Sequence, residues 1–180
     1  MAKSKESAAA AAGTSSVSTA GTVDRHFLHQ AKSLEEKLIE MRRHLHEYPE
    51  LSFHEHKTAA LMKDKLDSYG YKTKAGVGKT GVIGDLGKDG PVIASRADMD
   101  GLPIDETNPN KYISKNKTVM HACGHDGHMA CGLTAAQMLS QTELPGRVRM
   151  VMQPAEEATD SDGKSGAWRM LEDNALDGVS

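Results

Sequence analysis

The segment HACGHDGH, residues 121–128, carries the densest set of chemically useful side chains in the sequence. It offers one thiol, three imidazoles and one carboxylate, which are ligands for borderline-soft divalent metals. Its two glycines let the backbone turn, so that neighbouring side chains can point to one place. We expect a metal site here. The alternative is a turn stabilised by Asp and His hydrogen bonds.

Two established zinc motifs do not fit this segment. A zinc finger is typically built on Cys-x-x-Cys pairs, and the sequence contains no such pair. A zinc deaminase needs His-x-Glu followed by Pro-Cys-x-x-Cys, which is also missing. The predicted site is therefore of another kind.

A second chemical signal is the adjacent pair Glu156 and Glu157. Next to a metal, one carboxylate can hold the ion while its neighbour accepts a proton from water. An isolated Glu-Glu pair is typical of a solvated loop. Here the pair follows an apolar run, 147–153, and a proline, which favours the chemical interpretation.

Three polar segments fall where predicted strands or helices end. They are ADMDG (97–101), HACGHDGH (121–128) and QPAEE (153–157). Ligand crevices in open α/β sheets lie outside the carboxyl ends of the strands. We therefore expect the three segments to converge on one site.

Helical periodicity precedes these segments. Apolar residues at steps of three and four predict a helix over 24–47, which Pro49 ends. Ser52 is predicted as the N-cap of a second helix, with Glu55 completing a capping box and Gly70 ending it. A third helix is predicted over 126–140.

Short strands are predicted over 81–86, 91–97 and 147–153. The glycine-bounded connection 87–90 predicts that the first two form a hairpin. Alternation of helices with short strands predicts an α/β fold, a layered sheet with flanking helices.

Composition excludes several classes of protein. The 180 residues carry a formal net charge of −3, so no basic surface for nucleic acid is expected. No run of 18 apolar residues occurs, and no membrane association is expected. Two cysteines cannot build a disulfide framework, which favours a reducing compartment and a cytoplasmic location.

The first 22 residues are rich in Ala, Ser, Thr and Gly, and we predict a disordered low-complexity tail there. A secretory signal is not expected, because no leucine-rich core follows the lysines. An organelle transit peptide stays open as an alternative, although Glu6 and the lack of arginine weaken it.

The remaining histidines, cysteines and methionines receive structural interpretations. Four histidines flank Pro49 and are expected at a solvated helix end: His44, His46, His54 and His56. Cys131 is expected to be a small core residue. Core packing is also expected of Met129, Met138, Met150 and Met152.

Four segments in order resemble a known group of enzymes: RRHLHEYPELSFHEHKTA (42–59), SRADMDGLPIDE (95–106), MHACGHDGHMA (120–130) and QPAEE (153–157). They resemble the hippurate hydrolase and auxin-conjugate hydrolase group. This group comprises N-acyl-amino-acid amidohydrolases and carboxypeptidases of the aminoacylase-type metallopeptidase family. The resemblance implies a two-metal hydrolase that cleaves an amide bond next to a free amino-acid carboxylate, in a small N-acyl amino acid or peptide.

The resemblance also implies roles for individual residues. The metal ligands would be Cys123, His125 and Glu157, and the catalytic residues would be Glu156, as general base, and Asp100. Supporting positions around the ligands would be Asp98, His121 and His128, with helix capping as the alternative for the two histidines. The two divalent ions would be zinc or manganese first, with cobalt or nickel as further candidates.

Members of this family are much longer than the present chain. The resemblance therefore implies that residues 23–180 are the N-terminal part of a di-metal aminopeptidase or carboxypeptidase-like catalytic domain, truncated and without its lid and dimerisation domain. The full-length form would be a homodimer, and the isolated chain would hydrolyse substrate at background rates. The alternative function is a catalytically incomplete metal-binding fragment.

Overall fold

A computed structural model describes residues 20–180, with side chains from Arg25 onward. The predicted tail lies outside these residues, except for its last three positions, which begin the first helix. The helices are α1 (Ala20–Ser33), α2 (Glu35–Glu47), α3 (His56–Ser68), α4 (His125–Ser140) and α5 (Gly166–Glu172). The strands are β1 (Lys72–Val77), β2 (Gly81–Gly87), β3 (Val92–Asp98) and β4 (Arg147–Gln153).

The four strands form one mixed sheet in the order β1-β2-β4-β3. β2 pairs with β4 in the antiparallel sense, and β3 pairs with β4 in the parallel sense. The layered α/β prediction is confirmed, whereas the β2–β3 hairpin is wrong because β4 lies between these strands. At the entry to β4, Gly146 passes so close to Gly87 that a Cβ on Gly87 would lie 2.2 Å from the Gly146 carbonyl oxygen.

Two helix predictions need correction. The helix predicted over 24–47 is two helices, which are separated at Leu34, where φ is −102° and ψ is 0°. Ser52 does not cap α3, which begins four residues later, after Glu55. The intervening backbone cannot be helical, because Leu51 forms a β-bridge with Gly101 and Phe53 has a left-handed φ of 61°.

β1 and α5 were not expected from the sequence. β1 is an edge strand whose residues are mostly exposed, so it lacks the apolar alternation that marks a half-buried strand. α5 has only seven residues, which is too short for a periodic pattern. Its N-cap is Ser165, whose side chain accepts a hydrogen bond from the Trp168 amide.

The main core lies between one face of the sheet and helices α2, α3 and α4. Met150 and Met152 of β4 point into this core, whereas Val151 packs with Met170 of α5 on the other face. β4 is therefore buried on both faces. Among the described residues, no helix has the length and apolar character needed to cross a membrane.

The core predictions for the methionines and Cys131 have different outcomes. Met129, Met150 and Met152 are fully buried, as expected, while Met138 is half-buried. Cys131 is exposed, so its predicted core position is wrong. Cys131 follows the buried Met129 by two positions, which is a rotation of about 200° around the helix axis, so its side chain faces solvent.

Candidate metal centre

The parallel pairing of β3 and β4 brings two of the predicted polar segments together. Asp98 at the end of β3 lies opposite Gln153 at the end of β4, and the Met99 amide donates to the Gln153 carbonyl oxygen at 3.0 Å. α4 begins at His125 beside the same edge, and the His125 Nδ1 hydrogen bond to the Asp100 carbonyl oxygen ties it there. The expected convergence of the three segments is confirmed.

Cys123, His125 and Glu157 each direct one potential ligand atom to a common point. These three atoms all lie within 4.8 Å of one another. His125 is buried, Glu157 is half-buried and Cys123 is exposed. Across residues 25–180, this is the one group of three or more His, Cys, Asp or Glu side chains arranged to hold an ion.

Hydrogen bonding fixes the orientation of the His125 ring. Its Nδ1 lies 2.9 Å from the Asp100 backbone carbonyl oxygen, which only accepts, so Nδ1 carries the proton. Nε2 then faces the carboxylates of Asp98, Glu156 and Glu157 at 3.7, 3.8 and 3.7 Å. A backbone carbonyl behind the ring is a common way to orient a metal-binding histidine.

The electrostatics of the cluster show an excess of negative charge. Although burial opposes protonation of His125, Asp100 and Asp98 raise its pKa to about 9. A hydrogen bond with Glu157, together with burial and nearby carboxylates, raises the pKa of the Cys123 thiol. Both ligand atoms therefore hold protons where a cation would bind instead. The thiol, imidazole and carboxylate donors fit a divalent transition metal.

Asp100 anchors the loop that carries the glutamate pair. It is 1% exposed, and its two carboxylate oxygens accept from the amides of Glu156 at 3.1 Å and Glu157 at 3.0 Å. The Ser52 hydroxyl also donates to it at 2.6 Å. Burial opposes its ionisation, but these donors and His125 hold the pKa of Asp100 well below its usual range. Through these hydrogen bonds, Asp100 holds the backbone of Glu156 and Glu157.

Asp98 and His128 form a pair beside the cluster. His128 Nδ1 contacts Asp98 Oδ1, and Arg96 Nη2 lies 2.8 Å from Asp98 Oδ2. The Asp98 carboxylate is thus buried between the His128 imidazole and the Arg96 guanidinium. The alternative role for His128, helix capping, is wrong because its ring bonds to Asp98 and not to the first amides of α4.

His121 is the most unusual side chain at the site. It is 3% exposed, and neither ring nitrogen has a hydrogen-bond partner among the described residues. Burial lowers its pKa to about 4, with His125 and His46 adding to the effect and Asp126 opposing it. His121 is therefore neutral. It does not cap α4, so the capping alternative is wrong for this residue as well.

The prediction of a solvated helix end is wrong for His46, although it holds for the three other histidines of that set, which are exposed. His46 is 4% exposed, and its ring bridges Asp126 at 2.7 Å and Glu106 at 3.1 Å. Arg42 contacts the same Asp126 oxygen at 2.8 Å. Arg42 and His46 lie one helical turn apart, which is the sequence signal that could have revealed the pair.

The comparisons with known proteins agree with this geometry. Residues 94–180 match the model of Peptidase family M20/M25/M40. The chain is 47% identical over 151 residues to an N-acetyl-L-cysteine deacetylase of Bacillus subtilis (strain 168), covering 82% of this chain and 35% of that protein. It is 42% identical over 146 residues to a hippurate hydrolase of Campylobacter jejuni, covering 80% of this chain and 37% of that protein.

A solved structure is similar as well. The Bacillus subtilis YXEP protein, described as a dinuclear metal binding peptidase from the M20 family, superposes with a TM-score of 0.75 at 44% identity. The alignment covers 83% of this chain and 42% of that one. The chain spans a little over a third of the length of the two curated relatives named above. Residues 94–180 belong by sequence to peptidase family M20/M25/M40, and the similarity to the named relatives and to the solved structure extends over about four fifths of the chain.

Proposed function

We propose that the chain is part of a metal-dependent amidohydrolase that cleaves N-acyl amino acids, or releases a C-terminal amino acid from a peptide. The observation that carries this proposal is the convergence of Cys123, His125 and Glu157, with Glu156 beside them. The named relatives, which act on N-acetyl-L-cysteine and hippurate according to their descriptions, support the substrate class.

In this proposal, Cys123, His125 and Glu157 would hold the metal, which when bound would supply polarisation of the scissile carbonyl and a more acidic water molecule. Glu156 accepts the proton from that water and passes it to the leaving nitrogen. Its side chain is 40% exposed, so it can reach a substrate from the solvent side. Asp100 keeps the backbone of both glutamates in place, and Asp98 stands close to the His125 ring.

The donor set narrows the choice of ion. A thiolate and an imidazole favour zinc, and the surrounding carboxylates also suit manganese, with cobalt and nickel as further candidates. We propose two ions, because a similar solved structure is dinuclear. We also propose a cytoplasmic location, where the two free cysteines stay reduced, and a homodimeric full-length protein.

The test measures metal content and turnover separately. Residues 1–180 and the product of the whole gene are stripped with a chelator, reloaded with Zn²⁺ or Mn²⁺, and analysed for bound metal. Both are then assayed for release of free amino acid from N-acetyl and N-benzoyl amino acids. Bound metal with hydrolysis supports the proposal. Failure of the whole-gene product to bind metal would overturn it.

A second candidate is a metal-binding chain that lacks catalysis. The observation that favours it is that residues 25–180 supply one cluster of three ligands, whereas a similar solved structure is dinuclear. The same assay separates the two candidates. Stoichiometric metal without hydrolysis in the whole-gene product would select the second.

A further inference from the structure

Glu55 is a fully buried carboxylate that no role at the site explains so far. It lies at the start of α3, and its exposed fraction is 0%. One oxygen accepts a hydrogen bond from the Ala155 amide at 2.8 Å, and the other accepts one from the Thr80 hydroxyl at 2.5 Å. Ala155 immediately precedes the glutamate pair. Glu55 thus joins the start of α3 and the β1–β2 turn to the loop after β4.

The usual explanation for a carboxylate here is that it stabilises the positive end of the helix dipole. The hydrogen bonds of Glu55 argue for more than this. Its side chain makes no capping bond to α3, and both of its oxygens bond to groups outside the helix. A buried carboxylate is costly unless its oxygens are satisfied, and here the satisfying groups belong to other segments.

Strained backbone gathers around the same carboxylate. Of the five non-glycine residues with left-handed φ values in the described part of the chain, three lie close to Glu55 or its partners: Phe53 at 61°, Lys79 at 79° and Ala155 at 43°. Phe53 lies two residues before Glu55, Lys79 precedes Thr80, and Ala155 donates to Glu55 directly. Residues in this conformation persist only when surrounding contacts hold them. The Glu55 carboxylate bonds directly to two of these turns, at Thr80 and at Ala155.

The turn at Ala155 sets the direction in which the next two side chains leave the backbone. Its amide bonds to Glu55, and the following two amides bond to Asp100. Its carbonyl oxygen accepts from the Gly166 amide at 2.9 Å. Consecutive amides 155, 156 and 157 therefore all donate to buried carboxylates, and Glu55 supplies the first of these anchors.

We propose that Glu55 is a positioning residue for the metal site, because it locks the left-handed turn at Ala155 and so aims Glu156 and Glu157 at the ion. This inference rests on the proposed metal-binding function. Glu55 acts through the Ala155 amide and does not touch the ligand atoms itself.

The first test needs no metal. Hydrogen exchange is measured in the wild type, Glu55→Ala, Glu55→Gln and Met62→Ala. Met62 is a buried residue of α3 in the core, so its variant destabilises the same helix without touching the loop. Relative to the β4 amides, we expect the amides of Ala155, Glu156 and Glu157 to exchange about tenfold faster in Glu55→Ala. Glu55→Gln keeps an oxygen for the Ala155 amide and should restore protection.

The exchange rates of the Ala155, Glu156 and Glu157 amides are divided by those of the β4 amides. The proposal would be overturned if this ratio were no higher in Glu55→Ala than in Met62→Ala. In that case Glu55 would only stabilise the fold. The ratio to the β4 amides separates a local loosening of the loop from a general loss of stability.

The second test follows Co²⁺ added to the metal-free protein, using the absorption that arises from thiolate and imidazole coordination. We expect Glu55→Ala to bind Co²⁺ about tenfold more weakly with an altered spectrum, as for other residues that orient metal ligands. Glu55→Gln and Met62→Ala should keep the wild-type spectrum. An unchanged spectrum and affinity in Glu55→Ala would overturn the proposal. If the wild type itself bound no Co²⁺, the metal-binding function would fail, and the exchange data would still decide whether Glu55 anchors the turn.

Discussion

The two segments that supply the candidate ligands are held in different ways. In the glutamate loop, residues 153–157, three consecutive amides donate to the buried carboxylates of Glu55 and Asp100. In the cysteine segment, residues 120–124, Cys123 is exposed and the ring of the buried His121 has no hydrogen-bond partner among residues 25–180. A bridge between Met120 and Leu102 ties the start of that segment to the neighbouring loop.

This contrast indicates which part of the site is formed before metal binds. The amides of residues 155–157 in the glutamate loop all donate to buried carboxylates, so the geometry of this loop is set by the fold. The cysteine segment passes through Gly124 at a φ of +88°, with open space where a Cβ would lie. We therefore expect metal binding to order the cysteine segment more than the glutamate loop.

The largest effect is expected from removing both ligands at the α4 side of the cluster. Cys123→Ala combined with His125→Ala leaves Glu157 as the one remaining member, and most metal binding should be lost. Metal content after dialysis, measured by mass spectrometry, gives the result. Cys131→Ala is the matched control, because Cys131 is an exposed cysteine on α4 outside the cluster. Undiminished metal in the double variant would remove the cysteine segment from the site.

Substitutions of Glu156 and Glu157 should separate metal binding from turnover. In an active form of the protein, Glu156→Gln should keep its metal and lose about 10²–10⁴-fold in turnover, because an amide cannot accept the proton from water. Glu157→Gln should lower metal occupancy as well. Parallel assays of metal content and N-acyl amino acid hydrolysis compare the two. Near-normal hydrolysis by Glu156→Gln would exclude Glu156 as the general base.

Weakening the anchor of the glutamate loop should have an intermediate effect. Asp100→Asn replaces one accepting oxygen with an amide nitrogen, so it cannot accept from both the Glu156 and Glu157 amides. We expect metal affinity to fall about 10–100-fold, in the range found for groups that orient ligands. Competition with a chromogenic chelator measures the affinity. Asp105→Asn, at an exposed position on the following loop, should leave affinity unchanged.

The smallest effect concerns the network behind the start of α4. Burial opposes ionisation of Glu106, but the Ser114 amide, His46 and Asn110 outweigh it and lower the pKa of this carboxyl below 4.5. Because the folded state then binds fewer protons than the unfolded state, stability from this group is present above pH 4.5 and is lost as the pH falls below it.

As the pH falls, the free energy of unfolding should therefore decrease less in Glu106→Gln than in the wild type. Urea unfolding of both proteins, at neutral pH and at several values below 4.5, measures the difference. Glu143→Gln, at an exposed position, serves as the control. Equal acid sensitivity in the wild type and Glu106→Gln would show that Glu106 does not stabilise the fold through its charge.

The sequence predicts the parts of the fold that follow local patterns. α4, with Met129, Leu133 and Ala136 on its buried side, and the strands β2, β3 and β4 lie where their apolar residues indicate. The strand order does not follow from the sequence, because the glycine-rich connection after β2 equally suits a hairpin and two strands separated by a third. An exposed edge strand such as β1 carries no apolar pattern from which to predict it.

The convergence of the site could be predicted, because its residues cluster in three short motifs. The supporting groups could not. Glu55 reads locally as a capping-box residue, and His46 as part of a polar helix end. Their partners lie 100 and 80 residues away in the sequence, at Ala155 and Asp126. Such long-range hydrogen bonds depend on tertiary structure, which local propensity does not encode.

The position of β4 in the sheet has a consequence for how the chain folds. β2 and β3 are made early, but they cannot join until β4 enters between them, and β4 begins 49 residues after β3 ends. During synthesis, the growing chain therefore holds two strands with unpaired inner edges, and these are exposed to chaperones and to misassociation. The glutamate pair directly follows β4. Closure of the sheet and assembly of the ligand cluster should thus occur in the same step, so that a nascent chain gains its affinity for metal only once its sheet is complete.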